Sequence, residues 1–246
     1  MMLLLLAPLN AWAIINAEGL GVSTDKEGLN GKASASVNGS SGNTDKINTE
    51  LGGRLAWVHG PHTEILVASY AYGKSRGQRD TNKSFLHLRH RYALDDTLDL
   101  EGFGQAQQDE FARLKLRTLL GGGIRWGHEE DDWRTYLGIG SFYESETLRS
   151  TAAIAATPTT RLWRGNAYGT LSYNLNERVT FHNTLYFQPA WKDAADYRLL
   201  ENASMTVNLV EHLDLRLSID VAKDSRPPTG VKSTDTSYRT GLEYRF

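Results

Sequence analysis

The sequence predicts an all-β protein, a single antiparallel transmembrane barrel of about 12 strands of the outer-membrane type. Three observations carry that expectation. From residue 28 onward, apolar and polar residues alternate with a period of two. A strand sends alternate residues to opposite faces, whereas a helix would scatter both sets around its surface. Lys or Arg also recurs on one face of nearly every segment, and a soluble sandwich cannot bury so many charges unpaired. Finally, many segments reach 12 residues. That is well beyond the mean soluble strand of about 5–6 residues and enough for the roughly 9–11 that cross a membrane.

The segments follow in order. GLNGKASASVNGS (28–40) alternates Leu29, Ala33, Ala35 and Val37 with Asn30, Lys32, Ser34 and Ser36. LGGRLAW sets Leu51, Leu55 and Trp57 against Arg54, and EILVASYAY offers Leu66, Ala68, Tyr70 and Tyr72. SFLHLRHRY places Leu86, Leu88 and Tyr92 opposite His87, Arg89 and Arg91. TLDLEGFGQ sets Leu98 and Leu100 against Asp99 and Glu101. LKLRTLLGGGIRW sets Leu114, Leu116, Leu120, Ile124 and Trp126 against Lys115, Arg117 and Arg125. WRTYLGIGSFYE puts Trp133, Leu137, Ile139 and Tyr143 opposite Arg134 and Glu144. LWRGNAYGTLSY, VTFHNTLYFQ, ASMTVNLV and LDLRLSIDVA continue the rhythm to SYRTGLEYRF, whose Tyr238, Leu242, Tyr244 and Phe246 share one parity and Arg239, Glu243 and Arg245 the other.

Bulk composition narrows the class further. A net charge of −2 over 246 residues leaves no basic field for nucleic acid. With no cysteine there is neither disulfide nor thiolate metal site. The mean hydropathy of −0.45 would suit a soluble protein, but alternating strands average their two faces together. MMLLLLAPLNAWA, with an apolar core followed by Ala11-Trp12-Ala13, reads as a secretory signal over residues 1–13, although no Lys or Arg precedes the core. Residues 14–27 are expected to form a short periplasmic segment and 28–246 the barrel.

The links divide into long ones at 74–83, 146–160 and 224–236 and short ones elsewhere. In outer-membrane barrels the short turns and both termini face the periplasm. Aromatics gather in two bands. Trp57, Tyr92, Trp126, Trp133, Tyr173, Tyr244 and Phe246 fall at the short-turn end, and Tyr72, Tyr143, Trp163, Phe187 and Trp191 toward the other. Amphipathic rings prefer the headgroup layers of a bilayer.

The stretches LGGRLAWVHGPHTEILVASYAYGKSRGQRDTNKSFLHLRHRY (51–92) and QAQQDEFARLKLRTLLGGGIR (105–125) resemble the salt-induced outer-membrane protein family, a family built on a domain of unknown function. The similarity runs from about residue 27 to Phe246 and includes no catalytic motif. It implies an outer-membrane barrel induced by salt, with no implied ligand or reaction. The terminal Phe246, with Tyr238, Leu242 and Tyr244 before it, resembles the signal by which barrel-assembly machinery recognises its clients.

Other constellations point to little chemistry. His182-Asn183-Thr184 invites a lipid-hydrolase reading, but His182 and Asn183 have opposite parity and no Ser stands two residues away. His59 and His62 across a Gly-Pro turn are two ligands, not a metal site. Glu129, Glu130, Asp131 and Asp132 lack the spacing of a cation loop. Gly121-Gly122-Gly123 runs on into strand alternation rather than opening a helix, so it is expected to serve curvature or to make room for an aromatic neighbour. His90 is expected to point outward at the interface. No cofactor, metal or catalytic residue is expected.

With apolar residues outward, the lumen receives Lys32, Arg54, Arg89, Arg91, Lys115, Arg117, Arg125, Arg134, Arg164, Arg216, Arg239 and Arg245. It also receives Glu50, Asp99, Glu101, Glu144, Asp214, Asp220 and Glu243, so 12 bases face 7 acids. Twelve tilted strands give a backbone diameter of about 24 Å, which long side chains narrow or close. Two functions compete: a narrow channel preferring small anionic solutes, and a closed structural or partner-binding barrel. A lipid-modifying enzyme ranks third. The expected surroundings are outer-membrane lipid and the barrel-assembly machinery.

Overall fold

A strand with one apolar and one charged face needs two different solvents, and a closed sheet in a bilayer supplies both. The computed structural model describes residues 27–42, 45–150 and 157–246; the expected signal and nearly all of the segment after it lie outside them. Twelve strands follow one another: β1 (Gly28–Ser40), β2 (Lys46–His59), β3 (His62–Ser75), β4 (Gln78–Ala93), β5 (Leu98–Asp109), β6 (Leu114–Glu129), β7 (Trp133–Leu148), β8 (Thr159–Asn176), β9 (Val179–Ala190), β10 (Asp193–Val210), β11 (Leu213–Asp224) and β12 (Thr234–Arg245). Each pairs antiparallel with its sequence neighbours, and β1 meets β12 to close the barrel. None of the described residues forms a helix long and apolar enough to cross a membrane.

The outer face is apolar. Leu120 is 71% exposed and Ile139 64%, and leucines at 51, 66, 88, 137 and 217 share their face. A continuous aliphatic surface of this extent belongs in hydrocarbon rather than water. Both aromatic bands lie on it. Trp57, Trp126, Trp133, Tyr173, Tyr244 and Phe246 are exposed at the end where β1 begins and β12 ends, and Tyr143, Trp163, Phe187 and Trp191 are exposed at the other. His90 also points outward, its Nδ1 3.0 Å from Glu64.

At the end where β1 begins and β12 ends, called here the turn end, the links are short: 60–61, 94–97, 130–132, 177–178 and 211–212. At the opposite loop end, 149–158 and 225–233 are long, as expected. The expected long link at 74–83 is instead a two-residue hairpin, Arg76-Gly77, with φ of 50° and 73°. Two successive left-handed residues match the twist of paired strands. The charge-rich run after Gly77 is the start of β4, which pairs with β3 from Gln78 onward. β10 likewise starts ten residues before the alternation quoted for it.

One side-chain assignment reverses. Lys115 is exposed and Leu114 is 5% exposed, the opposite of their expected faces. Arg113 sits at φ 58°, and the β6–β7 register shifts between Leu114 and Leu116. A bulge moves the residues before it to the other face. Lys115 therefore lies outside the lumen.

Candidate functional site

The inward faces meet in a lumen crossed by ion pairs at several levels. Near the loop end, Glu144 on β7 is 2% exposed. It receives Arg164 Nε from β8 at 3.3 Å, Arg117 from β6 at 3.6 Å, and Arg198 Nη1 from β10. Glu146 accepts from Arg117 and, at 2.9 Å, from Arg198. Arg198 extends to Asp224 of β11 at 3.3 Å, and Arg164 to Asp196 at 2.9 Å. Arg198 thus reaches from β10 to β7 with two strands between, a chord across the bore. Arginine suits the task because its planar fork engages several carboxylates at once.

Deeper in, Glu101 on β5 accepts Arg91 Nε at 2.7 Å and Arg89 Nη1 at 3.3 Å, both from β4. The Tyr168 hydroxyl, reaching over from β8, donates to its other oxygen at 2.6 Å. The Arg89 guanidinium lies 5.7 Å from the centre of the Phe103 ring and 5.8 Å from that of Tyr168. Tyr168 can lie flat against the wall because its cross-strand partner is Gly138, where a Cβ would collide with the phenol ring. His87 Nδ1 meets Gln105 at 3.1 Å, and Gln105 donates to Gln107 at 2.8 Å. Arg54 is buried on the inner face of β2.

Toward the turn end, Arg125 pairs with Asp99 and stacks 3.6 Å above the Tyr136 ring. Lys32 meets Glu243 at 3.4 Å, and Arg216 meets the same carboxylate at 3.6 Å. Arg245 meets Asp214 at 2.9 Å. Nearer the loop end, Arg239 joins Asp220 at 2.7 Å and Glu50 at 3.3 Å. Arg134 is half-buried with inward parity. Cavities of about 120, 40 and 30 Å³ remain beside these belts.

Of the residues expected in the lumen, all but Lys115 have inward parity. The sequence reading missed Arg198, Glu146 and Tyr168. Arg198, Leu200, Asn202 and Ser204 alternate with exposed Glu201 and Met205, but an acid on the lipid side masks the pattern. Glu146 was assigned to a link that proves to be strand. Tyr168 is aromatic on the charged face, so period alone could not separate it from the lipid-facing rings.

His182 is buried in the lumen with its Nδ1 2.7 Å from Ser172 Oγ on β8, a contact across strands that no local spacing reveals. Among the described residues no carboxylate is found on its other ring nitrogen, where the orienting group of a hydrolytic triad would sit. Asn183 points outward to Glu201 at 3.3 Å. The His59 and His62 rings stack 5.3 Å apart, and the described residues contain no cluster of three metal-ligating side chains. A Cβ on Gly121 would strike the Ser141 carbonyl and the Cα and Cβ of Phe142, so that glycine allows β6 and β7 to approach closely rather than seating an aromatic ring.

A family model for proteins of unknown function, DUF481, matches residues 33–246. The chain belongs to that family. Among the curated proteins no sequence matches it. Solved structures share its architecture. The NanC porin superposes with a TM-score of 0.55 at 14% identity, covering 89% of this chain and 100% of that one. The translocator domain of the autotransporter NalP from Neisseria meningitidis gives 0.53 at 15% identity, covering 94% of this chain and 92% of that domain. At such identities the likeness is one of fold: this family member is a closed 12-stranded barrel of the outer-membrane type.

Proposed function

We propose that the protein is an outer-membrane barrel of envelope adaptation to salt, and that its bore is a narrow, anion-preferring channel lined by ion pairs. The short turns and both termini face the periplasm in this reading, and the long links 149–158 and 225–233 face outward. Surrounding lipid and the assembly machinery are its constant partners. The observation that carries the anion preference is the two-to-one arrangement at Glu101, where Arg89 and Arg91 share one carboxylate. The overall excess of bases is smaller than the sequence suggests, because Glu146, Asp109, Asp224 and Asp235 also line the inner face or its rim. A local surplus of guanidinium in a narrow bore raises anion occupancy and repels cations.

Reversal potentials in a salt gradient across planar bilayers test the reading. The wild type is expected to prefer anions, and Arg91→Gln to lose part of that preference. This variant leaves Glu101 with Arg89 and Tyr168, so it strands no buried acid. Cation preference in the wild type overturns the proposal. A folded barrel with no conductance returns the protein to the second reading, a closed structural barrel, which the chord from Arg198 to Glu144 favours.

A further inference from the structure

Among the described residues, the ring of hydrogen-bonded strands is complete everywhere but at one seam. Every other neighbouring pair is matched along most of its length, and β1 pairs with β2 from Gly28 to Ser40. Between β1 and β12 the ladder covers only Lys32–Ala35 opposite Leu242–Arg245, extended at the turn end by the mutual backbone bonds of Gly31 and Phe246. Beyond Ala35, β1 is paired on its β2 side alone. Thr234–Gly241 of β12 are likewise paired on their β11 side alone. The barrel wall therefore parts toward the loop end. Backbone edges open to hydrocarbon are costly, because nothing there satisfies their donors and acceptors.

The cavity of about 120 Å³ lies at this parting. Its lining includes inward residues of the lumen and, in the same cavity, the outward residues Ala33, Ala35, Thr240 and Leu242. It thus joins the lumen to the lipid-facing surface. Its mouth is kept wide by small side chains, and a Cβ on Gly241 would meet nothing within 4 Å. On the inner side Arg239 of β12 reaches over the parting to Glu50 of β2 at 3.3 Å, with both groups about one-third exposed. On the outer side Val37 and Tyr238 flank the gap, 68% and 75% exposed.

We propose that the parted seam is a lateral portal, through which a zwitterionic phospholipid places its phosphate and ammonium in the cavity while its acyl chains stay on the outer face. The wall charges choose the head group. Lys32, Arg54, Arg216 and Arg239 offer donors to a phosphate, and Glu50, Asp220 and Glu243 offer acceptors to an ammonium. Lys32 and Arg216 pair with Glu243, and Arg239 pairs with Glu50 and Asp220. A zwitterion exchanges those pairs for equivalent ones, whereas a purely anionic head would take the bases and strand the acids, which is costly in a desolvated site. Size permits it as well. The volume is several times the roughly 10–15 Å³ that one water needs, which is room for a phosphoethanolamine head. The inference requires the barrel to lie in a bilayer and is independent of whether the bore conducts.

The test exploits the absence of native cysteine. Ser36→Cys with Gly241→Cys puts thiols where the next rung of the β1–β12 ladder would fall, so oxidation zips the mouth and reductant reopens it. A diazirine side chain at position 218, on the cavity wall, reports the occupant by photo-crosslinking, and one at position 107, in the lumen away from the seam, is the control. The bilayer contains phosphatidylethanolamine and phosphatidylglycerol in equal amounts, and adducts are read by mass spectrometry. Expected are phosphatidylethanolamine adducts at 218, several-fold fewer at 107, and loss of the 218 adducts on oxidation with recovery on reduction. Equal yields at both positions, or yields at 218 indifferent to the lock, overturn the portal. Equal capture of phosphatidylglycerol overturns the assignment of the head group. Oxidised and reduced samples are the same chain, and heat-dependent gel mobility verifies that both are folded.

Discussion

Replacing Glu144 by Ala tests whether the ion pairs crossing the bore hold the barrel together or merely fill it. The carboxylate is 2% exposed and is approached by Arg164, Arg198 and Arg117. Removing one partner of a buried pair costs about 3–5 kcal/mol, because the other charge is left uncompensated. Here the upper part of that range does not apply. Arg164 keeps Asp196 at 2.9 Å, Arg198 keeps Glu146 at 2.9 Å and Asp224 at 3.3 Å, and Arg117 keeps Glu146. The expected loss is therefore about 3 kcal/mol, on the order of a hundredfold in the unfolding equilibrium. Urea unfolding in lipid vesicles, followed by tryptophan fluorescence, measures it. Glu201→Ala, which removes an exposed carboxylate from the outer wall, should change stability far less. A loss below about 0.5 kcal/mol for Glu144→Ala, typical of an ordinary surface site, would refute the crosslink reasoning.

Two other outcomes follow from the ends of strands. Phe246→Asp should lower membrane insertion more than Thr240→Asp, because the Phe246 backbone pairs with Gly31 to finish the closure and its ring covers that glycine; equal surface levels for both variants would remove its role in assembly. Asp95 in the β4–β5 turn accepts from the Thr97 and Leu98 amides at 2.8 and 2.9 Å. The Thr97 amide and hydroxyl hold its carboxyl below the ordinary value of 3.8. A depressed folded-state pKa contributes stability above the unfolded value and loses it as pH falls through the folded one. The stability advantage of wild type over Asp95→Ala should accordingly be complete above pH 3.8 and shrink below it, as read by urea midpoints.

Strand number, strand order and the outward aromatic bands could be read from the sequence because each depends on period-two alternation, a local property. Lys115 could not be placed, since the bulge between Leu114 and Leu116 is set by pairing with β7 rather than by the residues themselves. The Arg76-Gly77 hairpin was hidden by charged neighbours that resemble a loop, although they are the inward and rim residues of two long strands. Most of the lumen residues were identified from parity, but their partners were not. Glu101 meets Tyr168 and Glu144 meets Arg198 across the bore, and no spacing along the chain encodes a contact made only when the sheet closes. The parted seam was invisible for the same reason, because the extent of β1–β12 pairing belongs to the two ends of the chain together.

The seating of Tyr168 against Gly138 bears on how such a chain can drift over evolutionary time. The phenol occupies the space that a side chain at position 138 would need, and its hydroxyl is committed to Glu101. Any residue larger than glycine at 138 displaces the ring and, with it, one ligand of the acid that holds Arg89 and Arg91. A smaller residue at 168 removes that conflict but leaves Glu101 short of a donor. Positions 101, 138 and 168 are thus free to vary only as a set, and relatives that lack the tyrosine should show a bulkier residue at 138 together with a changed acid at 101.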